Sequence, residues 1–265
     1  MRITNKLMND NAVYYMEENL QKLYDLQEKV SSGKQFQRAS DNPVQATAAL
    51  SIRSTMEISQ GYLKTTQSTN AWMSTTDYSM QQMITSATRA LNLAQEGQSD
   101  TIGSEERQAL AAEMDMILQQ AVGIGNTSHQ GNYIYSGFKT NTVPFTLMDN
   151  NNDGVYDAVN YNGDSGVILR NVGPGQSISQ NVDGNASFSP LFSALIQARD
   201  ALETNDKNTL RTAAGALNTA LEGINEATTT NGARQRQVTQ IGERLEKTQI
   251  ELKSLLSQKE DVNMT

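Results

Sequence analysis

The sequence predicts a mainly α chain with a small β insertion: an elongated antiparallel bundle of long helices that carries a compact all-β domain. Three observations predict it. An apolar seam runs almost unbroken at spacings of three and four through Leu217, Ala220, Ile224 and Ala227, passes polar Asn231 and Arg234, resumes with Val238, Ile241, Leu245, Thr248, Leu252 and Leu255, and after Lys259 ends at Val262. A shorter copy sits at the other end of the chain, through Val13, Met16, Leu20, Leu23, Gln27 and Val30. Between Tyr133 and about Asp183 the composition changes to β-branched and aromatic residues separated by Gly, Asn, Asp and Pro clusters. Heptad spacing makes a narrow stripe that wants a partner helix rather than a broad core. Two such stripes at opposite ends describe a chain that leaves and returns along one rod.

Each element has its local cause. The first helix ends at Ser31-Ser32-Gly33. There Gly33 can take the left-handed conformation past the C-cap, and Lys29 suits the negative end of the dipole. Asn42 is placed to cap a second helix, with Pro43 as its first residue, where a missing N–H costs nothing. That pattern runs to about Gln95 and stops at Gly97, with Gly61 as a possible interruption. Its seam is Met73, Thr76, Met80, Met83, Ala87, Ala90 and Ala94. At 1.5 Å per residue such a helix is about 80 Å long. Ser104 is the expected next cap, with Glu105 and Glu106 in the first turn. The helix carries Leu110, Met114, Ile117, Leu118 and Ala121 and breaks near Gly123-Ile124-Gly125.

Short strands fit 142–148, 156–161, 167–171 and 176–182, joined by turns at Asn152-Asp153-Gly154, Asn162-Gly163-Asp164 and Gly173-Pro174-Gly175. Ser189-Pro190 is expected to cap a helix reaching about Leu202, and Asp206 begins the last one. The expected organisation is a helical arm over 1–41, a discontinuous bundle over 42–140 and 186–265, and a β domain over 141–185.

Composition narrows the function. With 265 residues the chain can bury a sizeable core, but 37% hydrophobic and 6% aromatic content is lean for a compact enzyme and suits thin helical bundles. The net charge is −8 with scattered Lys and Arg, which argues against nucleic acid and against an anionic membrane as partners. No stretch approaches the ~18 apolar residues that span a bilayer. The N-terminus Met1-Arg2-Ile3-Thr4-Asn5-Lys6 lacks the apolar region of a cleaved secretory signal. Cysteine is absent, which removes disulfides, thiolate metal sites and cysteine nucleophiles.

Candidate chemistry is sparse. His129, the single histidine, could be a general base or a metal ligand; a loop histidine near a bundle end is the expectation, because no triad pattern surrounds it. Asp149, Asn151, Asp153 and Gly154 match the opening of a calcium loop, but the twelfth position is Asn160 where a bidentate Glu is needed. A hairpin turn is the plainer reading, and no bound metal or other cofactor is expected. Ser32-Gly33-Lys34 fails as a phosphate loop, since Glu28 stands where the first Gly belongs and Gln35 follows the Lys. Gly173-Pro174-Gly175 lacks the helix start that a dinucleotide fingerprint needs. Met73, Met80 and Met83 could form an adaptable surface but read better as core. Asn231 and Arg234 on the long seam are either solvated where the partner ends or set its register. No paired carboxylates or nucleophile–base arrangement remain, so an enzyme is not expected.

Leu26-Gln27-Glu28-Lys29-Val30-Ser31-Ser32-Gly33-Lys34 followed by Ser40-Asp41-Asn42-Pro43 resembles the N-terminal segment of the flagellin superfamily, in its hook-associated branch. Residues 131–145 (beginning Gly131-Asn132-Tyr133-Ile134-Tyr135-Ser136-Gly137-Phe138) and 161–175 resemble the same branch, as do Asn231-Gly232-Ala233-Arg234 and Glu260-Asp261-Val262. The resemblance implies a flagellin-like fold and an extracellular structural subunit of the bacterial flagellum at the hook–filament junction. It implies export through the flagellar type III apparatus without a cleaved signal. The implied partners are neighbouring copies in a ring, a hook-associated protein on the hook side, flagellin on the filament side and a flagellar export chaperone.

By the same resemblance a further amphipathic helix normally follows a segment like Glu260-Asp261-Val262. The chain ends at Thr265, so C-terminal truncation is expected, with the 13–30 arm frayed or paired to a neighbouring molecule. Val13, Met16, Leu20, Leu23 and Val30 are then the expected assembly seam. Val238, Ile241, Leu245, Leu252 and Leu255 are the expected bundle seam. The alternatives are a flagellin filament subunit, a metal- or carbohydrate-binding module that uses the β insertion, and a cytoplasmic coiled-coil adaptor.

Overall fold

The computed structural model describes residues 3–150, 152 and 154–262. The chain is mainly α with a small β insertion. Its helices are α1 (Ile3–Ser32), α2 (Pro43–Gly97), α3 (Ser104–Gly125), α4 (Gly184–Glu203) and α5 (Lys207–Glu260). The helix ends follow local chemistry. Gly33 adopts φ +70 and donates its N–H to Lys29 O. The Asn42 side chain accepts from Gln45 N ahead of Pro43. Asp206 accepts from the amides of Asn208 and Thr209 at the start of α5. Gly61 does not interrupt α2.

Two helix starts differ from expectation. The N-cap of α3 is Gly103, and Ser104 is already helical. The Glu106 carboxylate accepts the Gly103 N–H at 2.5 Å, so the acidic first turn fixes the start one residue earlier. The start of α4 is Gly184, not Ser189. Asp183 caps it by accepting from Asn185 N and Ala186 N, and Pro190 lies inside the helix. A carboxylate that satisfies two orphan amides outweighs the hydrogen bond lost at Pro190.

Contacts divide the chain into two units, residues 1–61 with 244–265 and residues 62–243. In the larger unit, α2 contributes Met73, Met80, Met83, Ala87, Ala90 and Ala94 to the interior, all buried. Met114 and Leu118 from α3, Phe188, Leu191 and Phe192 from α4, and Leu217 and Ile224 from α5 complete it. The methionine stripe is therefore core. Here α5 runs antiparallel to α2: Thr228 bonds Met80 Sδ, Asn231 Nδ2 donates to Met73 O at 3.1 Å, and Gln235 Nε2 donates to Ser74 Oγ at 2.8 Å.

Among the described residues the β insertion is three two-stranded antiparallel sheets: β1 (Ser128–His129) with β2 (Asn132–Tyr133), β3 (Phe145–Met148) with β4 (Ala158–Tyr161), and β5 (Leu169–Gly173) with β6 (Gln176–Ser179). The first hairpin has two-residue strands, too short for any periodicity to announce. A lone hairpin cannot bury its own face. The insertion accordingly shares the helical interior, with Ile134, Tyr135 and Phe145 inside the same cluster as the α3 and α4 side chains. Phe145 packs edge-on to Phe192 at 5.0 Å, and Tyr135 edge-on to Phe188 at 4.6 Å.

The smaller unit holds α1, the start of α2 and the end of α5. Its α2–α5 pairing is also antiparallel, with Gln249 Nε2 donating to Met56 O at 2.8 Å and Arg53 pairing with Glu260 at 2.7 Å. Of the expected bundle seam, Val238 and Ile241 are buried in the larger unit, and Leu245 and Leu252 are half-buried in the smaller. Leu255 is 47% exposed, and Leu256 is half-buried in its place. A straight helix of 3.6 residues per turn drifts off a strict seven-residue repeat, and by the last heptad the buried position has moved by one.

Candidate assembly surface

α1 runs unbroken from Ile3 to Ser32 with no proline or glycine inside it. Lys22 reaches back to Glu18 across one turn at 2.6 Å on its polar side. The expected assembly seam lies open: Val13, Met16, Leu20, Leu23 and Val30 are between 50% and 71% exposed. On a 3.6-residue helix, Tyr24 and Leu26 flank that seam on either side, and they too are exposed. The open face is therefore wider than the heptad pattern indicates. The chain presents a formed helix with its apolar side uncovered. Monomeric proteins rarely leave so much contiguous apolar surface in water unless another molecule is to cover it.

The root of α1 is tied to the end of α5. After Gly33 turns the chain, Lys34 and Asp261 form an antiparallel bridge. Gln35 N donates to Glu260 O at 2.6 Å and Val262 N to Gly33 O at 3.0 Å. The Glu260 carboxylate, 10% exposed, faces Arg53 at 2.7 Å and Lys34 at 3.8 Å. Sequence reasoning missed this cluster. Nothing local to Lys34 ties it to a residue at the far end of the chain.

The segments 131–145 and 161–175, which carry the most specific motifs, close on each other in the larger unit. Gly137 has φ +67, and a Cβ there would lie 2.1 Å from Asp164. The Asp164 carboxylate accepts from Phe138 N at 2.7 Å and Gly166 N at 2.8 Å. Those two amides hold its pKa below the ordinary 3.8. The Tyr161 hydroxyl is shared between the carbonyls of Tyr135 and Asp164, and burial with nearby carboxylates pushes its pKa to about 12. Tyr135 is buried, its hydroxyl against Ser79 Oγ at 2.5 Å, and burial raises its pKa also. The two tyrosine hydroxyls therefore stay neutral at any physiological pH while Asp164 stays ionised, and all three groups are structural.

The other candidates are placed as follows. His129 sits on β1, half-buried, with Nδ1 2.9 Å from Thr75 Oγ1 and its ring edge-on to Trp72. Asp149 spends its carboxylate on its own loop, accepting from Asn152 N at 2.7 Å and Gly154 N at 3.0 Å. Asn151 and Asp153 lie outside the described residues. No group of three His, Cys, Asp or Glu able to hold a metal occurs among the described residues, and no helix there is long and apolar enough to cross a membrane. Asn231 is buried and bonded to Met73 O, while Arg234 Nη1 lies 3.5 Å from both Ser179 Oγ and Asn181 O. Neither is solvated at a helix end.

Comparison with known proteins agrees with this geometry. A family model described as the bacterial flagellin N-terminal helical region matches residues 3–140. The sequence is 28% identical over 215 residues to flagellar hook-associated protein 3 of Escherichia coli (strain K12), covering 74% of this chain and 66% of that protein. The matched region thus spans just under two thirds of that curated relative. The solved structure of Bacillus cereus FlgL superposes with a TM-score of 0.67 at 25% identity, over 78% of this chain and 99% of that one. The flagellar junction protein FlgL from Legionella pneumophila matches with a TM-score of 0.64 at 15% identity, over 82% and 100%, which is a likeness of fold.

Proposed function

We propose that this chain, which belongs to the family of the bacterial flagellin N-terminal helical region, is a structural subunit of the flagellum that joins a hook-associated ring to the flagellin filament. The observation that carries the reading is the open apolar face of α1. Burying one Val, Leu or Met side chain is worth roughly 1.5–3 kcal/mol, so the five seam residues together can offset the ordering that association requires. The function is interface energetics, with no catalytic step. The partners are neighbouring copies of the chain in a ring, a hook-associated protein on one side and flagellin on the other. An export chaperone keeps apolar segments covered before secretion, and the working location is extracellular. Val238, Ile241, Leu245 and Leu252 serve a different purpose, holding α5 to its neighbours within the subunit.

Substituting Leu20 and Leu23 by glutamine tests this. Incorporation into flagella of cells lacking the native protein should be abolished, and flagellin monomers should appear in the medium. Trp72 fluorescence, a reporter buried in the larger unit, should be unchanged in denaturant titrations. Normal incorporation of the double variant would refute the proposal.

A further inference from the structure

The arm proposed for assembly emerges from a built joint, not from a loose linker. Residues 33–35 and 260–262 exchange two main-chain hydrogen bonds across the whole length of the sequence, and Gly33 turns the chain into them at φ +70. Two bonds of a single bridge are a weak fastening when their backbone is open to water. A side chain reinforces them. Glu260 withdraws its carboxylate from solvent almost entirely while its cationic partners, Arg53 on α2 and Lys34 in the joint itself, remain about half exposed. A carboxylate removed from water needs a partner of opposite charge and hydrogen bonds to its oxygens, and Arg53 Nη2 supplies both at 2.7 Å. The Glu260 carbonyl also accepts from Gln35 N, so one residue closes the joint through backbone and side chain together.

We propose that Glu260 is the positioning residue of the assembly arm: by binding Arg53 and Lys34 it locks the 33–35/260–262 clasp, and the clasp fixes the direction in which α1 leaves its root. Correctly aimed arms pre-organise the apolar face of α1 for a neighbouring helix; an unlocked clasp leaves the same face exposed but swivelling. This rests on the reading of α1 as the assembly surface, and adds the residue that aims it.

Hydrogen exchange and incorporation together test the proposal in the full chain. In Glu260→Ala, exchange at the amides of Gln35 and Val262 should accelerate by about tenfold or more, since a buried charged contact is worth over 1.4 kcal/mol. Amides of the larger unit should be unaffected, and incorporation into flagella should fall. Exchanging the charges with Glu260→Arg and Arg53→Glu should recover both readouts in part, which a merely structural loss at residue 260 would not allow. Unchanged exchange at Gln35 and Val262 in Glu260→Ala overturns the lock. An opened clasp with normal incorporation overturns the aiming role. If Leu20→Gln with Leu23→Gln also incorporates normally, the assembly surface itself is wrong, and the two failures are distinguished.

Discussion

Asp164 shows how one side chain can hold a conformation that no other local force favours. At Gly137 the positive φ and the Asp164 atoms filling the space of a Cβ both demand glycine, and the same carboxylate accepts the amides of Phe138 and Gly166 on either side of the closure. Those amides favour the charged form, so the folded pKa lies below the ordinary 3.8. The contribution of Asp164 to stability is therefore complete above pH 3.8 and is lost as pH falls through the lower folded value. NMR titration of the Phe138 and Gly166 amides from pH 6 to 2 should show a shared inflection below 3.8, absent in Asp164→Asn. An inflection at or above 3.8 would show that the carboxylate is not held by these amides. Sequence placed residues 162–164 in a turn from the Asn-Gly-Asp triplet alone. It could not show that the turn reaches back to residue 138, because that contact depends on how two hairpins meet.

Among the elements, α4 separates what local chemistry reveals from what it hides. Asn42-Pro43, Gly33 and Asp206 announce helix ends because each acts on amides or carbonyls within three or four residues of itself. At α4 two local signals competed, Asp183 and Ser189-Pro190, and only the folded chain shows that Asp183 wins. Pro190 then stands in the seventh position of the helix, where its ring deprives Ala186 O of its usual donor. Pro190→Ala should restore that bond and raise stability by about 1–3 kcal/mol, read as a higher urea midpoint with unchanged slope. A lower midpoint would mean that Pro190 packs in a way its exposure conceals. Other elements were hidden for different reasons. β1 and β2 are too short to alternate. Leu255 lost its burial to Leu256 through accumulated helical drift. Asn231 was ambiguous because a polar residue on a seam reads alike whether solvated or bonded, and only the Met73 carbonyl decides it. The long seams of α2 and α5, by contrast, were legible over dozens of residues, since periodicity gathers strength with length.

Across the whole molecule, net charge is segregated between the two units. The unit formed by residues 1–61 and 244–265 contains eleven basic and eleven acidic residues, so the net charge of −8 belongs entirely to residues 62–243. The neutral unit is the one that carries the open face of α1. The association proposed for α1 would then be driven by apolar burial, which dilute salt barely alters, while the acidic units of neighbouring copies would repel one another. That repulsion is screened over a Debye length of about 10 Å at 0.1 M salt and about 3 Å at 1 M. Raising sodium chloride from 0.05 to 0.5 M should therefore strengthen self-association of the purified chain, seen as a rise in weight-average sedimentation coefficient at fixed concentration. Leu20→Gln with Leu23→Gln should remove the rise, because screening cannot substitute for the missing apolar contact. Weaker association at high salt would show instead that ion pairs between copies dominate, and would place the contact on charged residues rather than on the α1 seam.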